Sequence, residues 1–146
     1  MQLSRISTFL SLCVSAALAQ NTVSVSYDAV YNMSSESLNY VACSETMESY
    51  GYSTFGDIPS FPNLGGASVV TGFDAPECGS CWSLTYGSQT VYILVIDSTA
   101  NGFNIALPAM NNLTNGQAEF YGRINATATA VDASVCGLGQ APLEPN

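Results

Sequence analysis

The stretch ECGSCW, Glu77 to Trp82, carries the spacing in this chain most suggestive of chemistry. Two cysteines separated by two residues suit the nucleophile segment of a papain-type protease, a thioredoxin-type redox pair, or two half-cystines of structural bridges. The protease mechanism needs an imidazole to draw the thiol proton and return it to the leaving amine. No histidine occurs in the chain, so that reading is excluded, as are Ser-His hydrolysis and a His-ligated zinc site. A redox pair needs its first cysteine at the N-terminus of a helix, where the dipole lowers the thiol pKa. Here CWSLTYG has strand composition, runs into a Gly87-Ser88 turn and is followed by TVYILVID, which is a hairpin pattern. The cysteines are therefore read as crosslinks.

Their number fits an exported chain. Arg5, the apolar run ISTFLSLCVSAAL and the small residues Ala17-Leu18-Ala19 make residues 1–19 a secretory signal peptide, with one domain from Gln20 to Asn146. Cys13 leaves with that segment, so Cys43, Cys78, Cys81 and Cys136 remain, an even count that reads as two disulfides. Sequence leaves three connectivities open, of which Cys78–Cys81 closes too short a loop to be useful. A long-range bridge contributes about 4 kcal/mol in the chain-entropy model. A mature chain of about 127 residues is one domain's worth of core. No other apolar run approaches the roughly 20 residues of a membrane-spanning helix.

Charge narrows the partners. The chain carries 11 acidic and 2 basic residues, a formal net charge of −9, and loss of Arg5 with the leader takes this to about −10. Arg123 is then the one cation, so nucleic acid and anionic lipid are poor partners. Charged residues make up only 9% of the chain; Ser, Thr, Asn and Gly supply the polarity, a surface suited to neutral hydroxyl-rich molecules such as sugars.

The elements that must position any site are short. Val23, Val25 and Tyr27 alternate with Thr22, Ser24 and Ser26 as a half-buried strand. SSESLNYVAC carries a cap signal at Ser34 or Ser35 and apolar Leu38, Val41 and Ala42, predicting a helix that ends near Cys43. GYSTFGDIPSFPNLGGAS reads as loop. ASVVTGF, CWSLTYG and TVYILVID read as strands, the last apolar on both parities like a central strand covered on both faces. FNIALPAMNNLTNG turns from strand to helix, with Ala106, Ala109, Met110 and Leu113 as one stripe and Gly116 placed to end it. RINATATAVDASVCG alternates as a last strand, Ile124, Ala126, Ala128 and Ala130 on one face. Five or six strands and two short helices suggest a small closed barrel. Sequons at Asn32, Asn112 and Asn125 are candidate glycosylation sites, Asn125 the weakest because it falls within a strand.

Without His or Lys, acid-base chemistry would rest on carboxylates, and a glycosidase needs two flanking one bond. Asp28, Asp74, Glu77, Asp97 and Glu119 qualify by residue type alone. Asp97 stands out because it closes a buried strand on the parity of Val91, Ile93 and Val95, but no second carboxylate is fixed beside it by sequence. A carboxylate-dependent glycan hydrolase is thus the secondary expectation.

Several ordered stretches together, VSYDAVY, LNYVACS, FGDIPSFPNLGG, CGSCW and IDSTANGFNIALPAMNNLTNGQA, resemble the cerato-platanins, small secreted proteins of filamentous fungi. The likeness runs from about Val23 to Cys136. It implies a six-stranded double-psi β-barrel related to the barrel of expansins, and the pairings Cys43–Cys78 and Cys81–Cys136. It further implies a non-enzymatic protein without metal or cofactor that binds chitin, that is N-acetylglucosamine oligomers, and loosens cellulose-containing walls. Elicitation of plant defence through a plant receptor, virulence, and self-assembly at interfaces belong to the same expectation. Asp97 falls on the family's functional aspartate, Asn104 lies in the matching GFN motif, and Tyr27 and Asp28 lie in VSYD, so these four are the expected carbohydrate-binding residues. The chain departs from the family in its single mature cation, which makes attachment to acidic polysaccharide weak.

Overall fold

The order of the barrel follows from which strands can be covered on both faces. The structure, a computed structural model, describes residues 21–139; the leader expected at 1–19 lies outside the described residues. Six strands are present: β1 Asn21–Asp28, β2 Leu64–Ala67, β3 Cys81–Tyr86, β4 Gln89–Ser98, β5 Phe103–Ala106 and β6 Arg123–Val131. They close in the order β1-β5-β2-β4-β3-β6, with β1/β5 and β2/β4 parallel and the other four pairs antiparallel. Closure leaves no strand edge to template aggregation.

β4 is the axis of the core. Ile93, Leu94, Val95 and Ile96 are all 0% exposed, so both faces of this strand are covered, as its unbroken apolar run predicts. One face meets Val25, Phe103, Ile105 and Ile124 of the core; helix α2, Leu107–Thr114, packs against the strand with Ala109, Met110 and Leu113 buried. Pro108 stands in the first turn of α2, where a missing N–H costs nothing, and Asn115 ends it in the left-handed conformation (φ 53°) followed by Gly116 (φ 80°). Val23, Val25 and Tyr27 of β1 pack against the core as their alternation requires, and Ile124, Ala126 and Ala128 do so from β6. Ala130, on the same parity, is exposed.

Four expectations are corrected. The helix read across Ser34 to Cys43 is instead a single 3₁₀ turn, Leu38–Tyr40, because Ser37 rather than Ser34 or Ser35 caps it by accepting the Asn39 amide N–H at 3.2 Å. The helix proper, α1, starts at Ser44 and runs to Ser49, its first turn held by Asp74, which accepts from the Thr46 amide at 2.9 Å and the Thr46 hydroxyl at 3.0 Å. The Gly/Pro-rich segment contains strand β2, whereas only Ala67 of ASVVTGF is strand, since the chain turns at once through a Val70 N–H to Ala67 carbonyl bond of 3.1 Å. Third among the described α-helices is the one-turn α3, Ala118–Tyr121, beyond the two expected.

The cysteines pair as Cys43–Cys78 and Cys81–Cys136, with Cα separations of 5.4 and 5.8 Å. The two cysteines of CGSC thus go to different partners and form no redox pair. One bridge ties the loop before α1 to the segment before β3; the other ties the start of β3 to the 3₁₀ turn Ala133–Cys136. With a sequence separation of 55, the second bridge is expected to contribute about 4 kcal/mol. Urea unfolding of the paired variant Cys81→Ala, Cys136→Ala should show that loss in unfolding free energy at unchanged neutral pH.

Candidate functional site

A row of facing positions crosses four adjacent strands. Ser26 of β1 stands opposite Asn104 of β5, Asn104 opposite Gly66 of β2, and Gly66 opposite Asp97 of β4. A register shift between Gly65 and Gly66 is what brings Asp97 rather than Ile96 into the row. Neighbouring strands lie about 4.8 Å apart, so Asp97 and Asn104 flank a strip roughly 10 Å wide. Gly66, itself buried, has no side chain there and so lets the Tyr31 hydroxyl close over it. It can be nothing larger, since a Cβ there would stand 2.7 Å from the Ser98 carbonyl oxygen and 3.2 Å from the Tyr31 hydroxyl. Gly65 is as constrained, its Cβ position colliding with the Asn104 carbonyl.

Asp97 holds three segments together. Its Oδ2 accepts from the Tyr31 hydroxyl at 3.0 Å, and its Oδ1 accepts from the Ala42 amide at 2.9 Å and from the Ser98 amide at 2.8 Å. The carboxylate is half-buried. About four lone-pair directions exist on such a group, so one acceptor position is left for a ligand hydroxyl or amide. Asn104, also half-buried, accepts from the Ser26 hydroxyl at 3.0 Å through Oδ1, which leaves the donors of its NH2 group.

The other two expected residues are placed differently. Tyr27 pairs with Ile105 and packs against the core, so its ring is turned away from the row of Ser26 and Asn104. Asp28 is exposed at the end of β1 and accepts the Val30 amide at 3.0 Å. That bond caps the 3₁₀ turn Ala29–Asn32. The turn in its turn carries Tyr31 inward, 4% exposed, to Asp97. Asp28 therefore positions the site without lying on the strip.

Tyr31 is the site residue that sequence reasoning missed. It sits in VSYDAVY, but strand alternation gives it no role; only the Asp28 cap, which converts strand into 3₁₀ turn, turns it toward β4. Burial first, then the charge and hydrogen bond of Asp97, then the charge of Asp28, push its hydroxyl far above the ordinary tyrosine value. It stays a hydrogen-bond donor wherever the protein is folded.

The sequon asparagines also differ. Asn32 is half-buried, its Oδ1 accepting the Leu107 amide at 2.9 Å at the start of α2. Asn112 is exposed, and Asn125, although within β6, is exposed on that strand's outer face. Among the described residues no group of three or more His, Cys, Asp or Glu is placed to hold a metal ion, and no helix is long and apolar enough to cross a membrane.

Fold and site together define a small, disulfide-stapled, closed six-stranded barrel with a shallow polar strip across one end of its strands. The chain belongs to the cerato-platanin family, whose model matches residues 23–138. It is 41% identical over 144 residues to Allergen Asp f 15 of Aspergillus fumigatus, covering 90% of this chain and 95% of that one. Among solved structures, cerato-platanin 3 from M. perniciosa superposes with a TM-score of 0.77 at 41% identity, covering 81% of this chain and 100% of the other. The solution structure of the fungal elicitor Cerato-Platanin gives a TM-score of 0.70 at 37% identity, over 78% of this chain and 96% of that one.

The Tyr31 geometry has a consequence for stability in alkali. Because the folded state keeps a proton that the unfolded chain releases near pH 10, the stabilisation is complete below that pH and is lost as pH rises above it, by up to about 1.4 kcal/mol per pH unit. Denaturation of Tyr31→Phe should show a flatter alkaline limb than the parent, together with lower stability at pH 7, where Asp97 has lost a donor.

Proposed function

We propose that this protein is a secreted, non-enzymatic glycan-binding protein that takes N-acetylglucosamine oligomers across the Asp97–Gly66–Asn104 strip. The observation that carries this reading is the pairing itself: an acceptor at Asp97 and a donor at Asn104, both half-buried, are held about 10 Å apart on either side of Gly66. Hydroxyls and acetamides are matched by such a pair, and a neutral sugar suits a chain whose net charge is −9. A non-enzymatic role agrees with the use of Asp97, whose oxygens already accept three hydrogen bonds that hold the fold together. Expansin-like loosening of chitin- or cellulose-containing walls and elicitation of plant defence follow as the biological reading, the latter from the solved family structure described as that of a fungal elicitor. Each hydrogen bond nets only about 1 kcal/mol against water, so short oligomers are expected to bind in the micromolar range or more weakly.

Titration of N-acetylglucosamine oligomers by amide NMR should move residues 65–67, 97–98 and 103–105. Asp97→Asn and Asn104→Ala should each weaken those shifts about tenfold, the loss of roughly one hydrogen bond at a polar site. Asp97→Asn retains shape where Asp97→Ala would strip three backbone and side-chain donors of their partner. Unchanged affinity in both variants removes the strip from the function, and release of reducing ends from chitin over long incubation removes the non-enzymatic reading.

One observation favours a second reading, surface activity by self-assembly. Phe120 and Tyr121 are 81% and 44% exposed, stack edge to face at 5.3 Å, and join Tyr86 at 6.1 Å. An aromatic cluster of this kind in water is the feature that interfacial adsorption would use. Surface tension of Phe120→Ser solutions should then fall less than that of the parent at equal concentration, whereas equal tension assigns the cluster no such role.

A further inference from the structure

A second polar cleft stands at the opposite end of β4 from Asp97. We infer that it is a separate binding site for an uncharged, hydroxyl- and acetamide-bearing glycan, built independently of the Asp97 strip. Its volume is about 960 Å³, at the upper end of the range of small-molecule sites. Four segments wall it: the Pro59–Asn63 loop, the first residues of β4, the C-terminal end of α2, and the 3₁₀ turn that ends at Cys136.

Each wall is fixed by bonds within the fold. The loop is closed by the Asn63 N–H to Ser60 carbonyl bond (2.7 Å) and joined to β4 by the Leu94 N–H to Asn63 carbonyl bond (3.1 Å). The 3₁₀ turn is held by the Cys81–Cys136 bridge. Asn111 Oδ1 accepts from the Ala118 amide at 3.2 Å, which keeps the two donors of its NH2 for the cleft that it lines. A site assembled from such supports is pre-organised, so little ordering cost falls on binding.

The chemistry of the lining selects the ligand. Among the described residues no charged side chain borders the cleft; Ser60, Asn63, Thr90, Asn111 and Asn115 supply hydroxyls and amides. The Ser60 Oγ and Asn63 Oδ1 atoms are buried with no hydrogen-bond partner among the described residues. A buried polar atom left unpaired costs about 1–3 kcal/mol, a cost that any partner reaching these two atoms would relieve. Tyr92, 46% exposed on β4, adds an aromatic ring at the same mouth. Amides and hydroxyls beside one exposed ring, with no charge, match a sugar's hydroxyls, acetamide and apolar ring face, and match no phosphate, carboxylate or metal ion.

The cleft is distinct from the strip. Tyr92 and Asp97 are five positions apart on one strand, roughly 17 Å, and Ile93 to Ile96 between them are buried. Two glycan sites on one rigid barrel let a single molecule bridge two neighbouring polysaccharide chains. Asn112 lies on the cleft's rim and is exposed, so an N-glycan attached there would occupy the mouth.

The test uses the chain expressed without N-glycosylation and titrates short N-acetylglucosamine oligomers into it up to their solubility limit, read by amide NMR. Shifts are expected at residues 60–63, 90–92 and 111–116, persisting in Asp97→Asn. Tyr92→Ala, at a half-exposed position where folding is not at stake, should weaken the cleft's shifts about tenfold and leave those at residues 97–98 unchanged; Thr90→Ala is the second variant. Absence of cleft shifts overturns the inference, as do cleft shifts that vanish in Asp97→Asn, or cleft affinity unchanged in both Tyr92→Ala and Thr90→Ala. Shifts in the cleft with none along the strip uphold it while overturning the assignment of glycan binding to Asp97.

Discussion

The Asp97 carboxylate is the tie on which the arrangement of this barrel depends. It stands near the end of β4, whose centre is buried on both faces, and accepts from Tyr31, from Ala42 and from Ser98. Those donors belong to the segment after β1, the segment before the Cys43–Cys78 bridge, and β4 itself. The adjacent Cys43 amide then reaches the Ile96 carbonyl at 3.1 Å, and the bridge carries the connection on to Cys78. One short side chain thereby fixes the spacing of three surface segments around the strip. A binding surface needs that rigidity, because every donor that is already ordered is one whose freedom need not be lost on binding.

The same device recurs throughout the molecule. With Arg5 and Arg123 the only basic side chains, carboxylates have almost nothing to pair with by charge, and the chain uses its aspartates as backbone caps. Asp28 accepts from Val30, Asp57 from Ser53 and Thr54, Asp74 from Glu45 and Thr46, Asp97 from Ala42 and Ser98, and Asp132 from Ser134. A short carboxylate reaches backbone N–H groups one or a few residues away, or those of a crossing loop, without ordering a long side chain. The bonds at Asp57 and Asp132 hold both carboxyls below the usual range for that group: at Asp57 the Ser53 and Thr54 amides act first, and at Asp132 the Ser134 hydroxyl and amide. As pH falls through the lowered folded-state values of Asp57 and Asp132, these two caps take up protons and the stability they supply above the unfolded value is lost.

What was legible in the sequence is what local pattern determines. Period-two alternation in β1 and β6, the two-sided apolar run of β4, and the stripe and stop of α2 are each written within a dozen residues, and the structure keeps them. What was not legible is set by contacts between distant segments. β2 has the composition of a loop, Leu-Gly-Gly-Ala, and is a strand only because β4 and β5 press so close that side chains are excluded at Gly65 and Gly66. The sequence places the cap at Ser34 or Ser35, and the choice of Ser37 is made by tertiary anchoring: the Leu38 amide bonds the Ser53 carbonyl at 3.0 Å. Asp97 and Asn104 are singled out through family likeness, but Tyr31, which donates to Asp97, was hidden by the alternation of the strand that precedes it. Of the asparagines of the second cleft only Asn112 carries a local signal, its sequon, so their convergence was invisible until α2 was seated on β4.

β4 explains why two polar surfaces coexist on so small a barrel. A strand of ten residues is longer than its covering requires: its middle is buried on both faces, while its first residues and last residues emerge at opposite ends. Polar side chains can stand only where the strand emerges, at Thr90 and Tyr92 on one side and at Asp97 on the other. Since the buried centre admits no bending, the two ends are held at a constant distance of roughly 17 Å. Ligands at the two ends then cannot be forced together by flexing of the protein, and a chain bound at one end gains nothing at the other unless its own length spans the outside of the barrel. Bridging between separate chains needs no such reach, and the strong negative charge disfavours the competing outcome in which copies of the protein crowd together on one chain.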